Sequence, residues 1–268
     1  MSTGEETADL WWAAIFRAKA LRMRHTLPGN ANPTSADSGL RTGRESLSAS
    51  SGTAPYSWPD ITDEKGSMMS NQAADRQAIR ELVENWAVWR DAGDWDRFRT
   101  VWHPDGKMMA TWFQGPAEEF IKVSREGAAR GVSILHFLGG TSVDVTGDRA
   151  IAQTKMTISQ RGAVHGVLCD VVCTGRFYDF IERHTGRWGI VLRQPIYEKD
   201  RLDPVDPAAR LELPGQELER FPPGYRHLAY LQAGLGYRVK PDMPGLTGPE
   251  VEALYQRGAR WLAGGPCD

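Results

Sequence analysis

The chain has little cysteine, no excess of charge of either sign, and no long apolar run. Only Cys169, Cys173 and Cys267 occur in 268 residues. That odd number, at those spacings, makes neither an even disulfide framework nor a metal-binding pattern, so reduced and buried thiols are expected. Lys and Arg number 32 against 34 Asp and Glu, for a formal net charge of -2. Such a balance gives no electrostatic case for nucleic acid or an anionic membrane. No apolar segment approaches the ~18 residues of a membrane span. Near the N-terminus, Glu5, Glu6 and Asp9 precede the short apolar run 10–16 and basic residues follow it, the reverse of a secretory signal. A glycine-rich phosphate loop, HExxH and GxSxG are all missing. The expectation is a soluble, cytoplasmic protein with neither nucleic acid nor membrane as a partner.

What is present is aromatic surface and one well-patterned stretch, Asp75 to Gly106. The hydrophobic share is 41%, and ten residues are Trp, enough to build a core with rings left over for a pocket. Ile79, Leu82, Val83, Trp86 and Ala87 recur at the spacing of one helical stripe. The stripe stops at Ala92-Gly93, where Asp94 is placed to cap a second, shorter helix carrying Trp95, Phe98, Val101 and Trp102. His103-Pro104-Asp105-Gly106 then reads as a turn. Asp91 falls in the last turn of the first helix, where the macrodipole disfavours a carboxylate by up to ~1 kcal/mol. An acid there is either solvated or held for a purpose.

Three regions follow from composition. Residues 1–70 hold a short amphipathic segment and then a Ser-, Gly-, Thr- and Pro-rich tract that cannot repay its ordering entropy. This region is expected to be a disordered extension, with the natural start at Met68-Met69. Residues 71–200 alternate helices and strands. After the two helices, Lys107 to Phe113 is a strand, and Pro116 opens a third helix that Gly131 ends. From Val132 the period changes to two, with a bend at Gly139-Gly140, turns at Gly147, Arg161-Gly162 and Gly186, and a long strand from His165 to Glu182. The order predicts an α+β fold, helices laid on one face of a curved, mostly antiparallel sheet. Residues 201–268 are a Pro-rich connection and a helix opened by Pro249, an arm covering the core or a neighbouring subunit.

The segments IRELVENWAVWRDAGDWDRFRTVWHPDG, LHFLGGTSVDVTGDRAIAQT and GRFYDFIERHTGRWGIVLRQ together resemble the SnoaL-like branch of the nuclear transport factor 2-like superfamily. The similarity runs over about residues 72–200 and is strongest to the group with scytalone dehydratase, the bile-acid dehydratases and the lindane dehydrochlorinase. The resemblance implies a cone-shaped half-barrel around an apolar pocket, three N-terminal helices against it, and an Asp–His pair that falls on Asp91 and His136. A second polar group on the central strand would be His165, and a basic residue on the last strand Arg193. The residue before the acid, Tyr in the scytalone enzyme, is Arg90 here, and Trp86 stands where the dehydrochlorinase has a Lys. The substrate-polarising apparatus is therefore expected to differ.

Each candidate also has a plainer reading. His136 alternates with Ile134 and Leu138, so alone it reads as a core histidine; a carboxylate partner would make it a base. Asp91 lies at the edge of the helical stripe and could simply pair with Arg90 on the surface. His165 shares its strand face with Cys169 and Cys173. Arg193 faces opposite to Trp188, Ile190 and Leu192 and reads as exposed unless it stabilises an anion in the pocket. Trp86, Trp89, Trp112, Phe113 and Tyr178 are core residues singly and a pocket for a flat hydrophobic ligand together. The histidines lack the spacing of a metal site, so no metal and no cofactor are expected. The expected function is a lyase of dehydratase or dehydrohalogenase type acting on a small hydrophobic cyclic substrate. Alternatives are an isomerase, a cyclase, or a non-catalytic ligand-binding or oligomerisation module. A homodimer or homotrimer is the expected assembly.

Overall fold

The computed structural model describes residues 64–267, with side chains from 71. The extension expected over 1–70 therefore lies almost wholly outside the described residues. The elements are α1 (Glu64–Ala92), α2 (Trp95–Arg99), β1 (Trp102–Met109), β2 (Gln114–Pro116), α3 (Ala117–Ala129), β3 (Ser133–Thr146), β4 (Arg149–Val164), β5 (Val167–His184), β6 (Arg187–Pro204), α4 (Gly215–Leu218), α5 (Arg226–Gly234) and α6 (Pro249–Leu262). The fold is α+β. Its six strands form one sheet in the order β2-β1-β6-β5-β4-β3, antiparallel except where β1 runs parallel to β6.

Helices cover the inner face as the apolar stripe requires. Ile79, Val83 and Trp86 of α1 are fully buried and meet Phe98 of α2 and Phe120 of α3. Trp86 is the hub, in ring contact with Phe98, Trp102, Phe120, His136 and Phe177. Each large apolar side chain taken fully out of water contributes about 1.5–3 kcal/mol, so the α1 stripe alone fixes that helix against the sheet. The other face carries a second cluster in which Val251, Leu254 and Trp261 of α6 pack on Ile151, Tyr178, Phe180, Leu192 and Ile196.

One edge of the sheet is the long strand β3, and an unpaired edge leaves backbone donors and acceptors open. Side chains of α1 occupy them. Arg76 donates to the Val143 carbonyl at 2.5 Å, Arg90 donates to the Ile134 carbonyl at 3.3 Å, and Asp91 accepts from the His136 amide at 2.5 Å. The helix thus stands in for a seventh strand, and this is why the end of α1 meets the middle of β3.

Several local expectations are corrected. The His103-Pro104-Asp105-Gly106 turn is a bulge inside β1, where the pairing with β6 shifts between Trp102 and Lys107. β4 runs through Arg161-Gly162, and its turn comes later, at His165-Gly166, both with positive φ. Arg193 is fully buried rather than exposed. Between Phe180 and Ile181 the β5–β6 register slips, leaving Val191 unpaired. A one-residue bulge turns every later side chain to the other face. Ile190 and Arg193 therefore point to the inner face while Leu192 joins the outer cluster. The helix α5 was not anticipated. Its Leu228, Ala229 and Leu231 are buried in the inner cluster, so the C-terminal arm closes over the inner face as well as backing the outer one.

Candidate active site

Asp91 and His136 meet at the junction of α1 and β3. The Asp91 carboxylate takes the ring Nδ1 of His136 at 2.9 Å, its backbone amide at 2.5 Å and Arg90 Nη1 at 3.0 Å. The side chains of Arg90, Asp91 and His136 are 10%, 14% and 6% exposed. Burial alone would raise the Asp91 carboxyl, but the hydrogen bonds from His136 and the charges beside it outweigh that and hold it below its usual range. Burial pushes the His136 imidazole down to about 4; Arg90 and Arg193 add to the fall while Asp91 pulls against it. At neutral pH the pair is therefore a carboxylate and a neutral ring. The hydrogen-bond network assigns the ring proton to Nδ1, which donates to Asp91, and leaves Nε2 as a lone-pair acceptor.

Two small adjoining cavities lie beside the pair. One, of about 60 Å³, is lined by Arg90, Asp91, Trp112, Ser124 and Tyr237 among others. The second, of about 30 Å³, includes Trp86, His136, Ile158, Phe177 and Leu228 in its wall. Arg90, Trp112, Ile134, Gln160 and Gln232 belong to both. A buried polar relay crosses here: Thr111 Oγ1 to Gln232 Oε1 at 2.6 Å, and Gln232 Nε2 to Gln160 Oε1 at 3.1 Å. Trp86 Nε1, Arg90 Nε and Ser124 Oγ are buried without a hydrogen-bond partner among the described residues.

A model of the SnoaL-like domain matches residues 71–194. A PEP2-like protein of the fungus Fusarium vanettenii is 38% identical over 201 residues, covering 71% of this chain and 86% of that protein. The chain belongs to the SnoaL-like family. Pea pathogenicity protein 2 of the same fungus is 36% identical over 72% of this chain and 87% of its own length. Among solved structures, a hexachlorocyclohexane dehydrochlorinase overlays with a TM-score of 0.42 and 13% identity, over 54% of this chain and 97% of that one. At that score it adds nothing to what the helices and sheet already say.

Within the SnoaL-like domain, the residues singled out from sequence divide into three groups. Asp91, His136, Trp86 and Trp112 come together at the cavities. Arg193 sits behind the wall. Its guanidinium is bound twice by Asp179, at 2.7 Å each, and stacks 4.2 Å from the Trp86 ring and 4.0 Å from that of Phe177. It supports the hub ring and lowers the His136 imidazole instead of lining either cavity. The third group lies elsewhere. His165 is exposed in the β4–β5 turn, where its Nε2 meets the Tyr230 hydroxyl at 2.8 Å. Tyr178 is on the outer face beneath α6, against Tyr255 and Phe180. Trp89 lines a separate surface groove near Ala74 and Trp188. Phe113 packs on Phe120 and Trp112. The strand parity that grouped His165 with Cys169 fails because the turn intervenes.

Sequence reasoning passed over Gln160, Gln232, Thr111 and Ser124. Gln160, only 1% exposed, had a readable signal: it alternates with Ile158 on an apolar strand face. Arg90, which reads from sequence as a surface partner for Asp91 and as the residue standing where the scytalone enzyme has Tyr, lines both cavities. Gln232 had no signal, because its position depends on where α5 docks.

Proposed function

We propose that this protein is a lyase or isomerase whose own side chains abstract a proton from carbon. The observation that carries the reading is the His136 ring, held through Nδ1 by Asp91 at 2.9 Å and buried in the wall of the smaller cavity with no partner for Nε2 among the described residues. A base held neutral at physiological pH is ready to accept a proton, and Asp91 stabilises the imidazolium that forms. In an elimination, Nε2 takes the proton and the C–H electrons become the new double bond. The leaving group departs with its bonding pair, and a departing hydroxide recovers a proton from the imidazolium. In an isomerisation the same proton returns to another carbon. Membership of the SnoaL-like family supports a small-molecule substrate, and dehydration or dehydrohalogenation of a small hydrophobic cyclic compound is the form we favour. One observation favours a second reading, a ligand-binding module: Asp91 also satisfies the open edge of β3, a purely structural task.

Deuterium exchange separates the two. Small carbonyl compounds are incubated in D2O with the wild type and with His136→Gln, and loss of the α-proton is followed by NMR. Exchange that needs His136, with melting behaviour preserved, supports the lyase or isomerase. No exchange from any compound, with His136→Gln altering stability alone, leaves the binding module.

A further inference from the structure

The polar lining of the two cavities is unbalanced. Trp86 Nε1 and Arg90 Nε are buried donors without acceptors among the described residues, and an unpaired buried donor is costly enough to favour any ligand that supplies an acceptor. The Gln160 oxygen accepts from Gln232. Gln232 accepts from Thr111 with its oxygen and donates only one N–H to Gln160, leaving the second N–H. Against these donors stand Ser124 Oγ and the free Nε2 of His136. Apolar walls from Ile134, Ile158 and Phe177 fill the rest. A site with spare donors on one side and a single lone-pair base on the other is complementary to a particular ligand: one acceptor oxygen, and an apolar body with a C–H facing the base. The volume limits the size. The cavity with Trp86 and His136 in its wall is about 30 Å³, room for roughly two or three waters at about 10–15 Å³ each, so a body of six non-hydrogen atoms must also extend into the neighbouring cavity of about 60 Å³.

We propose that the site selects ligands by a carbonyl or carboxylate oxygen seated on the donors of Trp86, Arg90 and the Gln160–Gln232 pair, and that Gln232 is a specificity-determining residue. Gln232 is 3% exposed and lies on α5, beyond the 71–194 span of the SnoaL-like domain. The C-terminal arm thereby completes the site. Its docking is specific: Asp200 accepts from the Leu228 amide and pairs with His227 Nδ1, both at 2.8 Å. At Gly162 a Cβ would come within 2.8 Å of Leu231 Cδ1. This proposal rests on reading the cavities as the substrate site. The chemistry of the oxygen is shared by ketones and carboxylates, and the test separates them.

The test is binding of cyclopentanone, crotonate and cyclopentane to the full chain, followed by ¹⁵N NMR with the Trp86 indole signal assigned through Trp86→Phe. We expect cyclopentanone or crotonate to move the Trp86 indole resonance and to bind at least tenfold tighter than cyclopentane. Gln232→Leu should reduce that preference to threefold or less. Gln232→Glu places an acid among the donors and should weaken crotonate tenfold more than cyclopentanone, and it serves if the Leu variant does not fold. Equal binding of cyclopentane and the oxygen-bearing probes, no binding of any probe, or a preference that survives both substitutions would overturn the proposal. Because binding needs no proton transfer, oxygen preference without deuterium exchange would remove the lyase reading and leave this one standing.

Discussion

The lowered imidazole of His136 makes a quantitative prediction about stability against pH. In the folded protein the ring protonates at about 4, whereas the ordinary value is 6.5. As pH falls below 6.5 the unfolded chain binds the proton first, so the folded state loses ground. The loss begins near 6.5, continues to about 4, and is complete once both states are protonated. Each pH unit of difference corresponds to ~1.4 kcal/mol, so about 3 kcal/mol is lost across the window. Asp91, held below its usual range, acts in the same direction but at lower pH, since its contribution disappears only as pH falls through its own depressed value. The perturbation is His136→Gln, which removes the titrating ring and keeps a polar side chain at the site. Urea unfolding of both proteins at pH 7.5, 6, 5 and 4 measures the effect. The wild type should lose about 3 kcal/mol more than the variant over this range, and ¹⁵N-labelled histidine should show the ring neutral with its proton on Nδ1 down to pH 5. Parallel stability curves, or a ring titrating near 6.5, would refute the argument that burial and the two guanidinium groups outweigh Asp91.

Other outcomes follow from the same contacts. Asp91→Asn removes the anion from a 10%-exposed Arg90 while keeping one acceptor oxygen, so it should cost about 3 kcal/mol, the low end for breaking a buried pair. A melting point lower by roughly 6–12 °C and a shift of the His136 proton away from Nδ1 in the NMR spectrum check it. Asp179→Ala strands the fully buried Arg193 and should cost about 3–5 kcal/mol; the double variant Asp179→Leu with Arg193→Met should recover most of that in urea unfolding. Gly258→Ala puts a Cβ 1.9 Å from the Tyr178 hydroxyl and should cost about 1–3 kcal/mol as overpacking. Tyr178→Phe should relieve only part of it, since the ring carbon Cζ stays 2.9 Å from the new Cβ, and deuterium exchange should be unchanged in both, because this contact is on the far face from His136.

Some of these residues could be read before any coordinates, and others could not. Periodicity fixed the α1 stripe of Ile79, Val83 and Trp86, because a helix buries every third or fourth residue whatever it packs against. Alternation likewise placed His136 with apolar neighbours. Both patterns are local, and both failed where register changed. The bulge at Val191 reversed the face of Arg193, and the turn at His165-Gly166 removed His165 from the strand that parity assumed. Tyr178 was assigned to the pocket, and only the outer helix α6 shows why it is needed on the other side.

From its own residues and the resemblance they carry, the chain specified an α+β fold of helices on a sheet and a pairing of Asp91 with His136. Local periodicity and turn chemistry are written into neighbouring residues, so these features needed no partner to be legible. Tertiary structure alone decided that Arg90 turns inward, that Arg193 is locked to Asp179, and that Gln232 arrives from 72 positions beyond Gln160 to share a hydrogen bond with it. Those contacts join segments far apart in the chain, and their geometry is set by strand register and by the docking of α5 rather than by any spacing between neighbouring residues.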